Sequence, residues 1–237
     1  MTNLATGGKA VYGASIGILM LEAQFPRIPG DMGNAATWPF PVHYKVVRGA
    51  SPDKVVRKAA AGLIDDFIAA AQELQQDGVD AITTNCGFLA LHQETLSQSV
   101  SVPVATSSLM QIPQVAKTLP AGKRVGVLTI SADSLTEAHL RGAGISADVP
   151  VVGVDADGEF ARSILDNKLQ MDVGRARLEN VAAAQQLAAD PRIGAIVLEC
   201  TNMIPHAHAI RAATGLPVFS IYNLVTWLHH SVSAPQW

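Results

Sequence analysis

Short runs of aliphatic and β-branched residues alternate along the chain with longer stretches in which apolar positions recur every three to four residues. The runs Ser15 to Leu21, Val42 to Val47, Val79 to Thr83 and Val102 to Ala105 read as strands, and Val125 to Ile130, Val149 to Val154, Ile193 to Leu198 and Pro217 to Ile221 repeat the series. Such nearly unbroken apolar runs suit strands buried on both faces of a parallel sheet, with the amphipathic stretches as the covering helices. The clearest helices are predicted over Pro52 to Gln76, with Ser51 as N-cap and Pro52 at the first helical position, and over Val173 to Ala189, opened by Asp172.

The series does not merely resume; it stays in register. Shifted by 114 residues without a gap, Ala81 falls on Ala195, Ile82 on Ile196, Cys86 on Cys200, His92 on His206, Pro103 on Pro217 and Val104 on Val218. Strand, cysteine, helix and next strand keep their spacing, as in a duplicated α/β half, and the period is far too long for a solenoid. The fold expected is therefore two pseudosymmetric α/β domains, each with a central, mainly parallel four-stranded sheet flanked by helices, and a site in the cleft between them. The linker is expected near Ser107 to Lys123, which holds Pro113, Pro120 and Gly122.

Composition narrows the partners. A chain of 237 residues with 49% hydrophobic and only 5% aromatic content can bury one large core or two compact ones, and suits helices on a buried sheet. The net charge of −3 and the scattered basic residues remove the footprint that a nucleic acid would need. The apolar run Ala10 to Leu21 follows Lys9, but Gly13 and Gly17 interrupt it and no small-residue cleavage pattern follows, so no secretory leader is expected. No stretch reaches the roughly 18 apolar residues of a membrane span. With two cysteines and no export signal, the expectation is a cytoplasmic protein with reduced thiols and no structural disulfide, free of membrane partners and forming a homodimer.

Both cysteines follow the carboxyl end of a predicted parallel strand and precede a predicted helix, where open α/β sheets place their ligands. A helix start favours a thiolate and a substrate carboxylate alike. Thr84, Asn85 and Gly87 surround Cys86, and Thr201 and Asn202 follow Cys200, offering small polar donors and close backbone approach. There is no Cys-x-x-Cys pair, no tight cysteine–histidine spacing and no phosphate-binding glycine loop, so neither a metal nor a nucleotide cofactor is expected. If the halves face each other, two thiols flank one small substrate and can move a proton from one face of a carbon to the other.

The motifs "TTNCGFLALHQ" and "VLECTNMIPHAHAI" resemble the two cysteine motifs of the aspartate/glutamate racemase superfamily, which includes hydantoin racemases, and the resemblance covers nearly the whole chain. It implies a cofactor-independent racemase or epimerase of small amino acids or related carboxylates, with Cys86 and Cys200 as the acid/base pair and Thr84, Asn85, Thr201 and Asn202 in the substrate shell. It also implies a first domain of residues 1–107 joined by 221–237, and a second of 108–220. Other reactions of the superfamily stay open, namely hydantoin racemisation, maleate-type isomerisation and malonate decarboxylation, as does a non-catalytic carboxylate-binding or redox-sensing role.

Departures from the family pattern bear on the substrate. The asparagine precedes the first cysteine, and Gly87-Phe88 follow it, so Phe88 is expected to line the site. The first loop, "EAQFPRIPGDMGNAATWPFP", is long and carries Arg27 and Asn34. It reads as a lid or specificity wall, with Arg27 as the cation to clamp a carboxylate. Ser131, at the end of a strand, is a further candidate for the cleft. Glu199 is expected to alternate to the far side of its strand, away from the substrate.

Overall fold

A computed structural model describes residues 4–233. Its framework is two four-stranded parallel sheets with the same strand order. The first consists of Ile16–Leu21 (β1), Val42–Val47 (β2), Ala81–Thr84 (β3) and Val104–Ala105 (β4), ordered β2-β1-β3-β4. The second consists of Arg124–Thr129 (β5), Val151–Gly153 (β6), Ile193–Leu198 (β7) and Val218–Phe219 (β8), ordered β6-β5-β7-β8. In each sheet the chain leaves the first strand to one side and returns on the other, which leaves a crevice at the carboxyl ends of β1 and β3, and of β5 and β7. Every residue of β1 and β3 is buried, as unbroken apolar runs require of a sheet covered on both faces.

The helices are Pro52–Arg57 (α1), Ile64–Asp77 (α2), Gln93–Gln98 (α3), Ile112–Thr118 (α4), Glu137–Gly142 (α5), Glu159–Leu165 (α6), Val173–Ala188 (α7), Ala207–Thr214 (α8) and Ile221–Val232 (α9). The helix expected over Pro52 to Gln76 is thus two helices. Between them Ala59, Ala60 and Gly62 adopt φ of 50°, 53° and 73°, left-handed backbone that ends α1 and re-aims the chain into α2. The alanines on either side are strong helix formers, so only Gly62 signalled the break. Ser51 caps α1 through Lys54 N–H, and Asp172 caps α7 through Arg175 N–H, as expected. The segment expected as a linker, 107–123, contains α4, whose Ile112 and Val115 are buried.

After β8 the chain forms α9, and Ile221, Leu224, Val225 and Leu228 pack with Ile16, Ile18 and Met20 of β1. Residues 1–3 and 234–237, part of the expected first domain, lie outside the described residues. A second hydrophobic cluster runs without interruption from Leu19 and Phe67 of the first half to Val127, Phe160 and Val197 of the second. The long loop after β1 is anchored rather than loose. Phe25, Met32 and Trp38 are buried, and the Met32 carbonyl accepts from Trp38 Nε1 at 3.2 Å and from the Tyr44 hydroxyl at 2.9 Å. Among the described residues no helix is long and apolar enough to cross a membrane.

Candidate active site

Cys86 and Cys200 stand in equivalent places, directly after β3 and β7, each followed by a 3₁₀ turn, Gly87–His92 and Thr201–His206. Both thiols are unbridged, and both line one small cavity. Its wall is mostly apolar: Leu21 and Phe25 from the end of β1 and its loop, Pro52 and Val56 from α1, Phe88 after Cys86, Ile130 after β5 and Ile164 from α6. The break after Arg57 confines α1 to a single short helix, of which Pro52 and Val56 face the cavity. Asn85, Gly87, Glu199, Thr201 and Asn202 complete the lining.

The polar residues are mostly tied down by one another. Asn85 Oδ1 accepts from Leu21 N–H at 2.7 Å, joining the ends of β1 and β3. The Thr201 hydroxyl donates to the Asn85 carbonyl at 2.6 Å and so links the two cysteine turns. Cys200 Sγ donates to Asn202 Oδ1 at 3.7 Å, while Asn202 Nδ2 donates to Asp31 Oδ2 at 2.6 Å. Asp31, 3% exposed, also accepts from Arg27 Nη1 at 3.1 Å and from Gly33 N–H at 2.7 Å, so the first loop is fastened to the second cysteine turn. Gly30, at φ +95°, packs directly against Pro205 of that turn.

Several expected site residues do not line this cavity. Thr84 turns its hydroxyl to the carbonyls of Cys86 at 3.0 Å and Thr106 at 2.7 Å, holding the turn rather than a ligand. Arg27 is engaged by Asp31 and by the Phe25 ring, 4.2 Å from its guanidinium carbon, so the expected carboxylate clamp is already occupied. Asn34 caps a short turn through Ala36 N–H and bonds the Arg27 carbonyl, and the Ser131 hydroxyl donates to Ser134 Oγ at 2.9 Å. The first loop therefore contributes Phe25 as a wall.

Glu199 is the opposite case. Expected on the far side of its strand, it lines the cavity with both thiols, because the strand ends at Leu198 and the chain has already left the alternating pleat. It is fully buried; Oε2 accepts from the Thr129 hydroxyl at 2.7 Å, and Oε1 has no hydrogen-bond partner. A Cβ at Gly87 would collide with Oε1 and with the Glu199 carbonyl, so the glycine after Cys86 is what lets the carboxyl reach this place. Phe25, Pro52, Val56, Ile130 and Ile164 were not singled out from the sequence either; only the crossing of distant elements brings them together.

The electrostatics follow from dryness. Burial first, and the neighbouring Glu199 charge second, push the Cys86 thiol up to about 12. The same causes raise Cys200, with smaller contributions from Cys86 and Asp31. Arg27 favours the Cys86 thiolate weakly. Burial lifts the Glu199 carboxyl to about 8, against the opposing Thr129 hydrogen bond, so at neutral pH all three acids hold their protons. His139, edge-on to Phe88 at 5.3 Å, is shifted downward by burial and is neutral as well. Among the described residues no group of three or more histidines, cysteines or carboxylates could hold a metal ion.

Comparison with known proteins bears on both chemistry and fold. No family model matches the chain. It is 29% identical over 215 residues to a dimethylsulfoniopropionate lyase of Durusdinium sp. clade D, covering 87% of this chain and 71% of that protein. It is also 29% identical over 223 residues to dimethylsulfoniopropionate lyase 3 of Emiliania huxleyi, where it covers 86% of this chain and spans little more than half, 56%, of that relative. These names overturn the racemase reading drawn from the cysteine motifs: an enzyme is supported, but the matched relatives carry a lyase name rather than an isomerase one. Solved arylmalonate decarboxylase superposes with a TM-score of 0.60 at 16% identity, covering 94% of this chain and 93% of that one. Allantoin racemase from Pseudomonas fluorescens superposes with a TM-score of 0.57 at 16% identity, covering 94% and 98%. Two parallel sheets in the same order thus give the chain the fold of these decarboxylase and racemase structures.

Proposed function

We propose that the chain is a lyase that eliminates a neutral sulfide from a small β-sulfonio carboxylate, with dimethylsulfoniopropionate as the first substrate to test. The observation that carries the reading is the cavity in which two thiols meet inside a mostly apolar wall, in a chain whose matched relatives bear that activity in their names. One thiolate of the Cys86–Cys200 pair removes a proton from the carbon next to the carboxylate. The C–H electron pair becomes the new C=C bond, the Cβ–S bond breaks with its pair on sulfur, and dimethyl sulfide and acrylate leave. The proton stays on the thiol and passes to solvent before the next turnover. Charge and atoms balance without a redox partner.

A cationic substrate answers the main difficulty of the site. Buried thiols this hard to ionise need a positive neighbour, and a sulfonium beside the sulfur supplies it at the moment of binding. The wall suits the same group: a methylated sulfonium is weakly hydrated, and Phe25 and Phe88 present aromatic surface to it. Elimination also needs only one base, whereas racemisation needs a donor on each face.

The test is direct. The purified protein is incubated with dimethylsulfoniopropionate, and dimethyl sulfide is followed in the headspace by gas chromatography alongside acrylate by liquid chromatography. Equimolar release supports the proposal; a folded protein that releases neither rules it out.

A further inference from the structure

We propose that Glu199 works as a neutral carboxylic acid whose Oε1–H is the hydrogen-bond donor to the carboxylate of the substrate, making it a third acid of the site alongside the two cysteines. The inference rests on the reading of the cavity as the place where a small carboxylate is deprotonated. Its geometric basis is an asymmetry between the two oxygens. Oε2 is already an acceptor, taking the Thr129 hydroxyl at 2.7 Å, so a proton on this carboxyl belongs on Oε1. Oε1 is fully buried, lacks a partner, and belongs to a residue that lines the cavity with both thiols. A buried donor left unpaired destabilises the protein, and a bound oxygen anion would cancel that cost. Gly87 leaves room for Oε1 at this place, since a Cβ there would collide with it.

Chemistry gives the donor a purpose. When the α-proton leaves, negative charge moves onto the carboxylate oxygens, and a donor placed there in a dry site stabilises that charge. A carboxylate at the same place would repel both the substrate and the thiolate. The charged and titratable groups around Glu199 are few. Cys200 follows it, Cys86 faces it from the other sheet, and the Arg27–Asp31 pair lies beyond Asn202. Behind Phe88, α5 brings only the neutral His139. Strand β5 contributes Thr129, with Arg124 at its far end, and the turn Ser108–Gln111, whose Ser108 hydroxyl contacts the Leu198 carbonyl, carries no ionisable side chain.

The experiment uses propionate as the probe, with binding measured by calorimetry across pH in the parent and in Glu199→Gln. Gln keeps an acceptor for Thr129 and places an N–H donor where Oε1 stood, without an ionisable proton. The parent is expected to lose propionate affinity about tenfold per pH unit above about 8, as its binding-competent fraction falls. Glu199→Gln is expected to bind with unchanged affinity over that range. Infrared spectra below pH 8 should show a carboxylic-acid C=O band that Glu199→Gln lacks. An affinity that does not fall in the parent, an equal fall in both proteins, or a missing acid band overturns the proposal. If Glu199→Gln fails to fold, Thr129→Val replaces it: losing the bond that favours the charged form must move the break in the parent's profile to higher pH, and an unmoved break overturns the proposal. Propionate binding of this form without dimethyl sulfide release would leave Glu199 in place and remove only the lyase reading.

Discussion

Thr201 and Asn85 tie the two cysteine turns together: a hydroxyl three residues past the end of β7 donates at 2.6 Å to a carbonyl one residue past the end of β3, 116 positions away in the chain. The bond fixes the spacing of Cys86 and Cys200 more directly than either sheet does. Thr201→Val keeps the side-chain shape and removes the donor, leaving a buried carbonyl without it. The expected loss is about 1–3 kcal/mol of stability, measured by urea denaturation, with a further fall in turnover at equal folded fraction.

The one-base elimination makes the two cysteines unequal. One of the single variants Cys86→Ser and Cys200→Ser is expected to lose about 10²–10⁴-fold in dimethyl sulfide release, and the other less than about tenfold. Equal, severe losses would instead fit a reaction that needs a proton on each face.

Gly87→Ala places a methyl group against the Glu199 carbonyl and Oε1, and the carbonyl, being main chain at the end of a buried strand, cannot yield cheaply. Stability should fall by about 1–3 kcal/mol, as for other overpacked positions. Turnover should drop further than this loss accounts for, while Gly7→Ala, at an exposed glycine with open space around it and, like Gly87, no positive φ, serves as the control.

Glu199 also makes stability depend on pH with a definite sign. Its carboxyl titrates at about 8 when folded and near 4.5 when unfolded, so between these values the folded state holds the extra proton. Stability from this group is therefore greatest at low pH and declines as pH rises toward 8. Below about 7 the histidines that burial shifts downward, His139, His206 and His229, work in the opposite direction, which leaves 7 to 8 as the window in which Glu199 dominates. Over that unit the parent should lose about 1 kcal/mol relative to Glu199→Gln, at up to 1.36 kcal/mol per unit. Glu199→Gln should show a flat profile there in urea titrations; an equally steep one would mean the carboxyl is already ionised at neutral pH.

The fold was largely legible because strand patterns and the in-register repeat are local signals that survive in one sequence. Val42–Val47 and Ile193–Leu198 coincide with their apolar runs, while β4 and β8 shrink to two residues, since pairing with a single neighbour ends where the chain turns away. The break at Ala59 to Gly62 was hidden by alanine, whose intrinsic preference points to a continuous helix. The cysteine pair could be read from its repetition. Glu199 could not, because the alternation that argued against it stops at Leu198. Arg27 was misjudged for a different reason: its partner Asp31 stands only four residues away, yet a sequence does not say whether a cation is free or taken. The reaction was the least legible part, because the same two thiols serve several carbon-acid chemistries and the cavity wall that selects among them is assembled from five separate segments.

The hydrophobic cluster that runs from Leu19 to Val197 has a consequence for how the molecule comes apart. Two halves built to one pattern might be expected to melt separately, but they hold a single interior in common, with the Gly142 face of α5 pressed on the Ala90 carbonyl across the divide. Neither half could be expressed alone without exposing that shared interior to water. Heat should therefore reveal one transition, with equal calorimetric and van't Hoff enthalpies, and the repeat written in the sequence should leave no trace in the melting curve.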